Sequence, residues 1–505
     1  MQHNVAIGRT DPAYCGEAPF HPDRRFPELS FPELSSEPNG PYTLLRELFF
    51  ELGLDRDRFG MAEWNPLRNT VAPGQTVVIK PNYVLHRNES GGDPFAVVTH
   101  PSVIRALVDY TFIALAGQGR IIIADAPMMT CNWDALMALQ QLHTIQQFYR
   151  DRFGFNLEAI DLRPFALIDG EKPALSGSRK ALPGDPLGSV TVDLGSESLL
   201  AELESGRFYG ADYDRTATIA QHHGNVHRYR VSRTILSADA VISVPKMKTH
   251  KKVGVTLNAK GLVGINTDKN CLVHYRLGTP TEGGDQLPDT TGKADRTVIR
   301  FQRWCYDNLL AEASPVTDFI YRGLLGAYRL IVKPFCQLNR QTATQDSGNW
   351  HGNDSAWRMT ADLLRILFFA DAEGRIAATP QRKLFCVVDG IIGGDKEGPL
   401  APSACFTGML TAGADPVSVD LVTTRMMGLD PERIKQFSPA YDPQSPLYRN
   451  EANISVRADG CEWKASQANW PFAHAAFIPH SGWIGHIESV PGPACTEAVE
   501  IKAAA

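Results

Sequence analysis

None of the nine cysteines of this chain (Cys15, Cys131, Cys271, Cys305, Cys336, Cys386, Cys405, Cys461 and Cys495) stands in a C-x-x-C pair. That scatter excludes a ferredoxin-type iron–sulfur cluster, which needs closely spaced thiolates. An odd, dispersed set reads instead as reduced thiols of a cytoplasmic protein. Uncharged apolar runs stay well short of the roughly 18–20 residues that span a bilayer, so no transmembrane segment is expected. The first residues also lack the basic and apolar regions of a signal peptide. No G-x-x-x-x-G-K-[ST] loop is present, which excludes a P-loop nucleotidase. The absence of a G-x-S-x-G elbow argues against an α/β-hydrolase. The lone Gly117-x-Gly119 precedes a strand, the wrong context for a dinucleotide fingerprint. A net charge of −6 over 505 residues argues against general nucleic-acid binding.

The most telling absence is local. From Val241 to Thr267 there is no carboxylate, yet the stretch holds Lys246, Lys248, Lys251, Lys252, Lys260 and His250. Most charge runs are solvated faces. Here the charge follows directly on an apolar strand and is interleaved with Gly254, Gly261 and Gly264, which let backbone N–H groups approach an anion. The expectation is an anion site.

Apolar runs alternate with helical periodicity along the middle of the chain. Thr76–Lys80 reads as a strand. Thr99-His-Pro101 opens a helix, with proline in its first turn, and Val103, Ile104, Leu107, Val108, Phe112 and Leu115 keep a 3.6-residue period. Arg120–Asp125 returns as a strand, completing a βαβ unit with parallel strands. Ala240–Val244, Leu384–Val388 and Gly408–Ala412 have the same uninterrupted apolar character, and a helix capped by Asp415 follows the last. The predicted fold class is α/β: a mostly parallel sheet covered by helices on both faces. Residues 1–70 read as an arm, extended where Pro27 and Pro32 sit in the tandem Phe-Pro-Glu-Leu-Ser repeat, followed by a helix over 42–54. Residues 71–440 form the core, with a loop-rich insertion near 160–215 and a helical one near 295–345. Residues 441–505 read as a wrapping tail.

Ligands of open α/β sheets sit at the carboxyl ends of the strands. The expected strand ends are Lys80-Pro-Asn82, Asp125, Pro245-Lys246-Met-Lys248-Thr-His250 and Asp389, and parallel strands would gather them on one rim. Aspartate at such places also caps helices and closes turns. Gly393–Pro399 reads as a mobile loop able to close over a ligand. Asp354, before an amphipathic helix, is both an N-cap candidate and a site candidate. His223 and His227 have metal-ligand composition but lie in a stretch that reads as extended.

Several of these segments together resemble one family. Lys80-Pro-Asn82, Thr99-His-Pro101, Ile123-Ala-Asp125, Pro245-Lys-x-Lys-Thr-His250, Lys260-Gly-Leu-Val-Gly264, Asp389-Gly-Ile, Ala414–Asp420 and Met427–Asp430 are similar, in order, to the DUF362 family. The resemblance covers roughly residues 75–435. It implies no defined activity. Some similar members carry ferredoxin-like cysteine motifs that are missing here, and Gly261 replaces the more usual asparagine, which marks a sub-branch.

The functional expectation is an enzyme acting on an anionic small molecule that bears phosphate or carboxylate. Lys80, Asn82, Lys248, Lys260, Asp354 and Glu397 are the ligand-binding candidates. His250 is the acid/base candidate, since its ordinary pKa is near neutrality and neighbouring lysines push it down; Lys246 and Asp125 complete the catalytic set. Asp125 and Asp389 are candidate ligands of a divalent metal such as Mg²⁺. The alternative is a non-catalytic binding or scaffold protein for an anionic metabolite or partner, and homo-oligomerisation is left open.

Overall fold

A computed structural model describes residues 3–167, 179–210, 215–305, 339–467 and 475–489, with 307, 308, 316, 319, 320, 323, 324 and 326. About half of the helical insertion expected near 295–345, and part of the loop-rich one, lies outside the described residues.

The main elements in chain order are β1 (His3–Arg9), α1 (Gly40–Glu51), β2 (Thr76–Pro81), α2 (Pro101–Ala114), β3 (Arg120–Asp125), β4 (Glu158–Asp161), β5 (Ala240–Val244), β6 (Lys246–His250) and β7 (Gly254–Val255). They continue with α3 (Leu257–Gly261), α4 (Lys293–Cys305), α5 (Ala356–Phe369), β8 (Lys383–Asp395), β9 (Ser403–Gly413), α6 (Pro416–Met426), β10 (Ile454–Ala458) and β11 (Cys461–Lys464). The strands build one mixed, mostly parallel sheet in the order β11-β10-β1-β9-β8-β5-β2-β3-β4, with β6 and β7 branching from β8.

The predicted α/β class holds, and the predicted βαβ unit is β2-α2-β3 with parallel register from Thr76 opposite Arg120. Successive residues of the central strands point to opposite faces, as strand geometry requires. Val78, Ile122, Val241 and Val388 join a core under α3, α5 and α6. Val77, Ile79, Ile121, Ile242 and Val387 join a second core under α1 and α2. Because both faces are covered, these strands read as continuous apolar runs.

Three details differ from the sequence reading. The run Gly408–Ala412 belongs to β9, which pairs antiparallel with β8 rather than extending the parallel series. The expected mobile loop is correspondingly shorter, because Gly393, Gly394 and Asp395 are strand residues of β8. A Cβ at Gly393 would press on Phe477 and one at Gly394 on the Ala96 carbonyl, so close packing rather than freedom requires these glycines. Residues 3–9, read as part of an arm, form β1 inside the sheet between β9 and β10.

Candidate functional site

The lysine segment is itself a strand. β5 ends at Val244, Pro245 interrupts the backbone donors, and β6 resumes beside the second half of β8, with Lys246 opposite Asp389 and Lys248 opposite Gly394. Its five residues are all buried. Strand alternation puts Met247 into the core under α5 and α6, while Lys248 and His250 line a cavity of about 370 Å³ beyond the ends of β2 and β3.

Each expected strand-end residue has a definite place. Asn82, Asp125, Lys248, His250 and Lys260 line the cavity. Lys80 lies just beneath, donating from Nζ to Asp125 Oδ1 at 3.0 Å and to the Pro81 carbonyl at 2.7 Å. Asp125 Oδ2 accepts from the Tyr83 backbone N–H at 2.7 Å. Gly264 makes this pair possible, since a Cβ there would collide with the Asp125 carboxylate and crowd Lys80 Nζ. Gly264, expected to let the backbone approach an anion, thus also makes room for an ion pair.

Lys246 and Asp389 do not reach the cavity. Lys246 Nζ donates to Asp389 Oδ2 at 3.0 Å and to the Tyr14 hydroxyl at 2.6 Å. Tyr14 in turn donates to Asp389 Oδ1 at 2.6 Å. The backbone N–H groups of His100 and Ile391 fill the remaining carboxylate positions. Burial, followed by the Asp389 charge, holds the Tyr14 hydroxyl well above its ordinary pKa. Asp125 and Asp389, expected to share a metal, therefore lie in two separate ion pairs. Among the described residues no group of three or more His, Cys, Asp or Glu side chains is arranged to hold a metal ion.

Asp354 and Glu397 also stand apart from the cavity wall. Asp354 accepts from Trp357 Nε1 and pairs with Arg358, Arg276 and Lys435, holding the start of α5. Glu397 pairs with His480 at 2.9 Å, clasping the tail to the β8–β9 turn. His222 and His227 are buried against each other, 3.4 Å apart at Nδ1, in strands away from the cavity.

The cavity wall is rich in basic side chains, and Asp125 is its one carboxylate among the described residues. Several wall lysines are already satisfied. Lys248 Nζ donates to the carbonyls of Val97 and Pro399. Lys269 Nζ donates to those of Ala126, Val263 and Asn266, and Lys252 Nζ to that of Ser347. Lys251 and Lys260 have no side-chain acceptor among the described residues. Burial, reinforced by the charges of Lys251 and Lys80, pushes Lys260 down to about 7. Asp420 accepts from the backbone N–H groups of Asn258 and Ala259 at 2.9 Å, capping the short helix α3 that carries Lys260. Thr256 Oγ1 and Asn349 Oδ1, also from wall residues, are buried without a hydrogen-bond partner among the described residues.

Two imidazoles stand on this wall in opposite tautomers. His250 Nδ1 accepts from the Lys252 backbone N–H at 3.0 Å, so the neutral ring carries its proton on Nε2. His274 Nδ1 lies 2.9 Å from the Leu272 carbonyl, which can only accept, so its Nε2 is bare. Burial holds both rings well below their ordinary pKa, and Lys260 is the largest charge acting on each. The lining also includes the apolar residues Val84, Met128, Met129, Leu167, Val263 and Leu400. Tyr209 and Tyr275 stack at 5.1 Å near Arg303, whose guanidinium lies 5.6 Å and 5.7 Å from their rings.

The family model described as "Domain of unknown function (DUF362)" matches residues 77–164 and 166–425. The chain belongs to the DUF362 family. The match spans β2 to α6, and therefore every cavity residue named above. No curated protein and no solved structure matches the chain. Within this DUF362 chain, His274 and Lys269 are wall residues that carried no signal in the sequence, since each is an isolated residue beyond the lysine segment. Lys251 and Lys252 lay inside that segment, but nothing in the sequence separated them from its other lysines.

Proposed function

We propose that this DUF362 protein is an enzyme acting on an anionic small molecule with an apolar portion, bound in the cavity beyond β2 and β3. The observation that carries this reading is the pair of lysines without a hydrogen-bond acceptor among the described residues, Lys251 and Lys260, facing a cavity whose one described carboxylate is already paired with Lys80. Burying cations without counter-ions is costly, and an anionic ligand removes that cost. The apolar residues of the lining suit a ligand with a carbon body as well as a phosphate or carboxylate. Turnover is favoured over simple binding by the two tautomers, because one ring offers an N–H and the other a lone pair beside the same ligand.

His250 keeps its expected acid/base role as the proton donor, and His274 joins it as the acceptor. Lys246 and Asp389 are assigned to the scaffold. The described cysteines are all unpaired, which supports a reducing, cytoplasmic setting. No described helix is long and apolar enough to cross a membrane.

The test is thermal denaturation with inorganic phosphate, citrate and a panel of phosphorylated metabolites. The wild type is expected to be stabilised by at least one of them, with Lys251→Met and Lys260→Met each losing most of the response. Equal stabilisation of both variants and the wild type would remove the assignment. Recovery of the ligand unchanged after prolonged incubation would favour a binding protein over an enzyme.

A further inference from the structure

We infer that Lys260 is a nucleophilic amine, and that the ligand class is a carbonyl-bearing anion, an oxo acid or an oxo phosphate ester, which condenses with it as an imine. This deepens the reading of the cavity as an anion site and rests on it.

The wall lysines are not equivalent. Lys80, Lys248, Lys252 and Lys269 each donate to a carboxylate or carbonyl oxygen, which ties their nitrogens to the wall. Lys251 is partly exposed and lies in the field of Glu89 and Glu397. Lys260 is 8% exposed, has no side-chain acceptor among the described residues, and is influenced chiefly by burial and by two like charges. An amine that is desolvated beside other cations is favoured in its neutral, nucleophilic form. Fixing the helix by Asp420 keeps this amine on the same wall as His250 and His274.

The step balances with these groups alone. The neutral Lys260 nitrogen attacks the carbonyl carbon while the carbonyl π bond breaks onto oxygen, which the His250 Nε2–H holds by a hydrogen bond. His274 Nε2 takes one proton from the nitrogen and passes it to that oxygen, giving a neutral carbinolamine. His274 then moves the remaining nitrogen proton to the hydroxyl, which leaves as water while the nitrogen lone pair closes the C=N bond. The product is a neutral imine, and both rings end as they began. Lys251 and Arg303 remain to hold the ligand's anionic group. No oxidant, reductant or further reactant is needed.

The experiment uses the full chain with glyoxylate and sodium cyanoborohydride, followed by peptide mapping by mass spectrometry. Lys260 is expected to be alkylated about tenfold or more faster at pH 7 than exposed lysines such as Lys180, Lys293 and Lys383, because a larger share of it is neutral there. Its labelling should reach half its maximum near its own pKa of about 7. Excess inorganic phosphate should slow it selectively. Labelling of Lys260 no faster than the exposed lysines overturns the imine assignment, and the wild-type map decides this without any variant. Thermal stabilisation by glyoxylate or phosphate without a Lys260 adduct would remove only the imine. Absence of both would remove the anion site as well.

Discussion

Lys246 Nζ and Asp389 Oδ2 meet at 3.0 Å with both side chains wholly buried. The first lysine of the Pro245-Lys-Met-Lys-Thr-His250 segment is therefore held in an ion pair outside the cavity lining. It ties β6 to β8, and through Tyr14 it ties both to the N-terminal segment. A buried pair of this kind costs much to break, because the partner left behind is an unpaired charge.

Substituting Lys246 with methionine strands Asp389 beside the Tyr14 hydroxyl. The expected loss is about 3–5 kcal/mol of stability, the usual cost of breaking a buried pair, measured by urea denaturation. Any folded fraction should still respond to anions. A variant of full stability that no longer binds would reverse the assignment and return Lys246 to the site.

Gly264→Ala sets a methyl group against the Asp125 carboxylate. Overpacking of this sort costs about 1–3 kcal/mol, and relief comes only by separating Lys80 from Asp125. The variant should melt at a lower temperature than the wild type. It should also bind anions differently, since Asp125 would then stand unneutralised on the wall. An unchanged melting temperature would contradict the close approach at Gly264.

The Lys260 amine gives a definite pH signature. Its folded value of about 7 lies below its ordinary value of 10.5. Between those values the unfolded chain binds the extra proton, so this group's contribution to the stability of the empty protein rises with pH across that window. Below about pH 7 the full cost of burying the charge is present. A bound anion favours the ammonium form and raises its pKa. Non-covalent anion binding should therefore take up protons near pH 8 and weaken as pH rises further. Calorimetry in two buffers of different ionisation enthalpy measures the uptake; proton release on binding would contradict the assignment.

The sheet and its rim were legible because strands buried on both faces leave unbroken apolar runs, and polar residues just past them have few places to go. The hairpin of β8 and β9 was not legible. Its middle, Gly390-Ile-Ile-Gly-Gly-Asp395, has the composition of a loop, and only its pairing with β9 and β6 makes it a strand. Asp125 was found at the cavity because its strand ends there. Asp389 ends an equally apolar run, yet β6 lies alongside and closes it off. Which lysine meets which carboxylate depends on the register of β6 against β8, including its irregularity between Lys246 and Lys248. His274 and Lys269 follow no repeat or motif, so only the folded chain brings them to the wall.

The position of β1 bears on how the molecule is made. Val5 pairs with Gly413 on one side and with Val456 on the other. A ribosome adding about 5–20 residues per second needs on the order of a minute to supply both partners. Until then the strand has nowhere to dock, and Tyr14 has no buried ion pair to complete. Such distant pairings also slow folding, because long loops must close before any contact rewards them. The last central strands of the sheet thus act as a delayed latch, and the waiting segment is where chaperone dependence should be sought.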